Sequence, residues 1–136
     1  MSKSLYQYRI YPEHRQHIEM LLHQILPTHK YKPSKQPNVF VCGSGWITAK
    51  RKIEYSITGD MLNICVWKVI APIIPMLEMG CNDANSFYGA ALNSGMKNAV
   101  EHTVNLISQQ VPLTPLTYCV QVDDNFLDSI SYAYRG

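Results

Sequence analysis

The sequence predicts an α+β fold, with an antiparallel sheet of four to five strands and two helices packed on one face. Three observations lead there. Alternating apolar and polar residues flank Gly59-Asp60, the pattern of a half-buried hairpin. Two longer stretches, Pro12 to Pro27 and Ser86 to Gln110, carry apolar residues at spacings of three and four. The chain has 136 residues, 46% of them apolar and 16% charged, which suits one folded domain over residues 1–136. A chain of this length buries roughly 65–70% of its unfolded surface and needs no disulfide or metal to hold it.

Leu5 to Tyr11 reads as a strand with Tyr6, Tyr8 and Ile10 on one face. Pro12 opens a helix, where its missing N–H costs nothing. His14, Ile18, Leu21, Leu22 and Ile25 form the apolar stripe of that helix, His23 lies on its opposite side, and Pro27 ends it. Residues 28–38, THKYKPSKQPN, read as a loop rich in Pro and Lys. Val39 to Cys42 is a short strand, and Gly43-Ser44-Gly45 a turn.

The hairpin is the strongest local signal. Gly at the first turn position suits a two-residue type II′ turn. That turn pairs Ile57 with Leu62, Tyr55 with Ile64 and Ile53 with Val66 on one face, all apolar. The other face pairs Ser56 with Asn63, Glu54 with Cys65 and Lys52 with Trp67. Lys52 is then placed over the Trp67 indole, a cation–π contact of roughly 0.5–1 kcal/mol.

An apolar run, VIAPIIPML, follows from Val69. Only nine uncharged residues separate Lys68 from Glu78, and Pro72 and Pro75 interrupt them, so no spanning helix of about 20 apolar residues fits. The run is read as a connector that delivers the chain to the second helix, with Asn82, Asp83, Asn85 and Ser86 as possible N-caps. Leu92, Met96, Ala99, Thr103 and Leu106 recur along that helix. Gly89 and Gly95 weaken it by about 1 kcal/mol each and are expected to let it approach the sheet closely. LTYCVQV is a last strand, and Phe126 to Tyr134 a tail dotted with apolar residues that docks on the body or on a second subunit.

The first fifteen residues have no apolar core of a signal peptide, so a cytoplasmic protein is expected. Cys42, Cys65, Cys81 and Cys119 lie far apart without a CxxC pair, which argues against a zinc ribbon or a thioredoxin-type site. Cys81 precedes the second helix, whose positive end would lower a thiol pKa, but no motif supplies a His as base, and a buried thiol is the simpler account. His14 and His17 share a helix face with Glu13 nearby but lack an HExxH arrangement, so no metal is expected. Glu78 and Asp83 could pair as acid and base, although both also suit the start of a helix without chemistry. Together with Trp67 and Cys81 they mark a candidate ligand pocket. The GSG at 43–45 is too short for a dinucleotide fingerprint, and no cofactor is expected.

No acidic residue lies between Glu19 and Glu54, an interval that holds Lys30, Lys32, Lys35, Lys50, Arg51 and Lys52. Tyr31, Phe40 and Trp46 are interleaved with them, a composition that suits single-stranded nucleic acid or another polyanion. Asp123, Asp124 and Asp128 balance the charge elsewhere, leaving a net of +2, and a solvated surface is the commoner explanation of such a cluster.

The run from Trp46 to Ile107 resembles a family of small uncharacterised domains in Firmicutes. The shared features are a hairpin ending in an aromatic (VWK), an apolar stretch with prolines, Glu78-Met79-Gly80, Phe87-Tyr88-Gly89 and a terminal amphipathic helix. The first strand and helix, YQYRIYPEHRQHIEMLLHQIL, fit as well. Some relatives follow a zinc ribbon, which this chain lacks, and relatives often have a basic face on the last helix, where this one has only Lys97. The resemblance therefore implies a fold more than a function. The functional expectation is a non-enzymatic binding or protein-interaction module that associates with itself or another protein, does not insert in a membrane, and has nucleic-acid binding or a small ligand pocket as alternatives.

Overall fold

The computed structural model describes residues 3–43, 50–69, 87–122 and 126. Six strands form one sheet: β1 (Lys3–Arg9), β2 (Lys32–Pro33), β3 (Val39–Cys42), β4 (Lys50–Thr58), β5 (Met61–Val69) and β6 (Thr114–Val122). Their order is β2-β3-β4-β5-β1-β6, and each neighbouring pair is antiparallel. Among the described residues, two helices, α1 (Arg15–Ile25) and α2 (Phe87–Ser108), accompany the sheet in an α+β architecture.

The sixth strand is the one the sequence hid. Residues 28–38 are not a continuous loop, because Lys32 and Pro33 pair with Val41 and Phe40. Pro33 is tolerated there since an edge strand can leave one N–H position facing away from the ladder. The same reason allows Pro115 inside β6, at the opposite edge. The first helix is also longer than its α-helical part. A 3-10 turn over Pro12–His14 leads into α1, and another over Leu26–His29 carries the chain past Pro27 to Lys30, which closes the segment at φ +69.

The hairpin has the expected register: Ile57 faces Leu62, Tyr55 faces Ile64, and Ile53 faces Val66. Gly59 has φ +59 and Asp60 is not in the positive-φ region, the signature of a type II′ turn. All six apolar residues are buried. They join Tyr6, Tyr8 and Ile10 from the β1 segment, Ile18, Leu21 and Leu22 from α1, and Ala99, Val100, Val104 and Ile107 from α2 in a single core. Both helices therefore cover the same sheet face. On α1, His23 is not turned away: its Nε2 lies 3.1 Å from the Tyr55 hydroxyl and its ring meets Phe40 edge-on, because it flanks the stripe closely enough to reach the sheet.

The other face is drier than a wet/greasy alternation implies. Leu5 and Cys65 are buried there, with Trp67, Val122 and Phe126 packed against them. Beside this cluster runs a polar chain across four strands. Thr117 Oγ1 donates to Gln7 Oε1 (2.6 Å), Gln7 Nε2 to Asn63 Oδ1 (2.9 Å), and Asn63 Nδ2 to Thr58 Oγ1 (3.4 Å). Asn63 is fully buried yet bonded, which avoids the penalty of a lone buried amide. The cation over the Trp67 ring is Lys3, at 4.0 Å, which reaches it from β1 on the far side of β5; Lys52 stands directly across the ladder from Trp67. Lys3 also approaches Glu54 at 3.7 Å.

Candidate functional site: a cavity between the sheet and the second helix

The edge strand β6 meets β1 irregularly. Leu5 faces Val120 and Gln7 faces Thr117, so Tyr118 and Cys119 together occupy the place across from Tyr6. Such a bulge re-aims side chains at a sheet edge. Here Cys119 takes φ +51, a left-handed conformation that non-glycine residues rarely adopt. Its thiol is turned to the helix side, partly buried against the main core.

A cavity of about 200 Å³ opens at this point, lined by Ser4, Tyr6, Val66, Met96, Lys97 and Cys119. Ser4 and Val66 are cross-strand partners on its floor, and Met96 and Lys97 come from α2 above. Its walls are mixed: Val66 and Met96 are apolar, Ser4, Tyr6 and Cys119 carry hydrogen-bonding groups, and Lys97 is charged.

Tyr6 is the unusual member. It is fully buried, and its hydroxyl has no hydrogen-bond partner of good geometry. Burial pushes its pKa above the ordinary phenol value, and a weak hydrogen bond with the Cys119 thiol adds to the rise, so the hydroxyl keeps its proton as a donor. Native proteins pair most buried hydroxyls, because an unmade bond there costs about 1–3 kcal/mol. Nearby Tyr8 is also held protonated by burial, with its pKa pushed up to about 12.

Next to Tyr6 is Tyr118, whose ring stands edge-on to it at 5.5 Å. Its hydroxyl donates to the Glu101 carboxylate on α2, and the Lys97 ammonium lies 5.5 Å from its ring centroid. Glu101 is thus engaged outside the cavity lining, while Lys97 lies in it.

Those residues singled out from the sequence that the structure describes fall elsewhere. Glu78, Cys81 and Asp83 lie outside the described residues, as does the connector that holds them. Trp67 belongs to the opposite sheet face from the cavity. The basic segment divides. Lys32, Val41, Lys52 and Trp67 stand in one cross-strand row on the open face. Lys50 shares that face by strand alternation, while exposed Lys30 and Lys35 sit at the turns flanking β2. Arg51 points the other way, under α2: its Nη2 donates to Cys42 Sγ at 3.1 Å, and its Nε is buried without a partner.

Tyr6, Lys97 and Cys119 escaped the sequence because no local motif joins them. The available signal was a tyrosine at a core strand position, whose hydroxyl must find a partner or a cavity. Set against known proteins, the chain matches no family model, no curated protein and no solved structure. Among the described residues, no helix is long and apolar enough to cross a membrane.

Proposed function

We propose that this protein is a binding module that holds a small molecule in the cavity between β1, β5, β6 and α2. The buried Tyr6 hydroxyl, whose one neighbour is the weakly accepting Cys119 thiol, carries this reading. A buried donor with so weak a partner is best explained by a ligand atom that completes it. The volume, below the roughly 300–1,000 Å³ of drug-sized pockets, fits a small metabolite. Because Cys119 is on the wall, occupancy is measurable without knowing the natural ligand. In a Cys81→Ser background, a bound compound should slow modification of Cys119 by a thiol reagent and raise the melting temperature. If no member of a broad metabolite panel does either, the reading fails.

A second reading rests on the open face. Lys32 and Lys52 are aligned there with Trp67, and Lys3 stacks over that ring. Cations beside an aromatic suit a single-stranded nucleic acid, and such binding must strengthen as salt falls. Titration with single-stranded RNA at two salt concentrations decides it, and absence of binding at low salt removes it.

A partner protein, a second copy included, would meet Leu116, Tyr118 and Val120, which are exposed on β6. Pro115 and the bulges obstruct addition of another strand there, so such a contact would be made by side chains.

A further inference from the structure

We propose that the ligand of this cavity is a small organic acid: an anionic oxygen group bound by the Lys97 ammonium, with an apolar body against Val66 and Met96. This rests on the binding role proposed above and adds the chemical class. The charged side chain on the wall is a cation, and no described carboxylate lines the cavity. The nearest competitor is Glu101, four residues along α2. Its oxygen accepts the Tyr118 hydroxyl, which leaves Lys97 with the face of the Tyr118 ring rather than a carboxylate. Lys97 also meets the Tyr118 hydroxyl, but an ammonium carries three N–H donors, and the others remain for an incoming oxygen. The hydroxyls of Ser4 and Tyr6 add neutral donors, and Tyr6 stays protonated at any physiological pH because it is buried. Donors around a single cation, set on an apolar floor, complement an acid with a short hydrocarbon or keto-bearing chain.

The wall chemistry also separates this class from its rivals. A neutral amide would lose the charge-assisted contact, which is roughly twice as strong as a neutral one. An amine would meet Lys97 as a like charge and would be favoured only if Glu101 left Tyr118.

Hexanoate, hexanamide and hexylamine have the same chain and different heads, and serve as probes in thermal-shift and calorimetric titrations at fixed ionic strength. The acid is expected to bind at least tenfold more tightly than the amide, and Lys97→Met should erase that preference while leaving far-UV circular dichroism unchanged. Tyr6→Phe should weaken the acid by several fold without reversing the order. If amide and acid bind equally, or the amine binds best, the anionic class is overturned and the cavity remains a binding site. If none of the three binds, and none protects Cys119 from labelling, the anionic class is overturned, and the binding role stands or falls on the metabolite panel.

Discussion

His29 and His102 face each other across the seam between the 3-10 turn after α1 and the middle of α2, with Nε2 and Nδ1 2.7 Å apart. One ring must donate and the other accept, so the contact needs at least one neutral imidazole. The His29 pKa is lowered from its ordinary value of 6.5, first by desolvation and then by repulsion from His102. A lowered folded-state pKa means that the unfolded chain takes up the proton first as pH falls. Stability is therefore complete above pH 6.5 and declines as pH drops below that value toward the folded pKa. Urea melts between pH 8 and pH 5 should show this loss, and His29→Gln should flatten it; an unchanged slope would remove the pair as its cause.

Gly59→Val should destabilise the fold by about 1–2 kcal/mol through backbone strain alone, because L-residues resist left-handed φ. An added Cβ there would meet no atom within 4 Å, so the Cβ itself brings no clash. Chemical denaturation measures it, and unchanged stability would mean that residue 59 does not hold positive φ in solution.

Gly95→Ala should do the reverse. The sequence expectation was close approach of helix to sheet, yet an added Cβ would meet only Arg51 Nη1, at an ordinary 3.9 Å. Recovering helix propensity should stabilise the protein by about 0.5–1 kcal/mol. A loss of stability would show that α2 lies nearer to the sheet than described.

Asn63→Ala should cost about 1–3 kcal/mol. It empties a fully buried amide position and takes from Gln7 Nε2 its oxygen acceptor, leaving that nitrogen only the Met61 sulfur at 3.2 Å. Equilibrium unfolding is the measurement, and a neutral result would mean the polar chain from Thr117 to Thr58 contributes little.

What the sequence made legible follows from periodicity. The Gly59-Asp60 turn and the alternation around it give the register of β4 and β5 residue by residue. Spacing along the helices located Ile18, Leu21, Leu22, Met96, Ala99 and Thr103, all buried. Met96, however, serves the cavity as well as the core. Periodicity is blind to a two-residue strand such as Lys32–Pro33, whose pairing is a tertiary event. It is equally blind to bulges, which break the alternation that defines a strand, and the cavity lies beside one at Tyr118 and Cys119. The basic segment looked continuous in sequence, but strand alternation sends Arg51 to one face and Lys50 and Lys52 to the other.

The central claim, that a small acid occupies the space beneath α2, is tested most directly by heteronuclear NMR of the labelled protein titrated with hexanoate. The expected result is saturable shifts centred on Ser4, Tyr6, Val66, Met96, Lys97 and Cys119, lost in Lys97→Met. Shifts confined to the open face around Lys32, Lys52 and Trp67, or no shifts at millimolar acid, would contradict it.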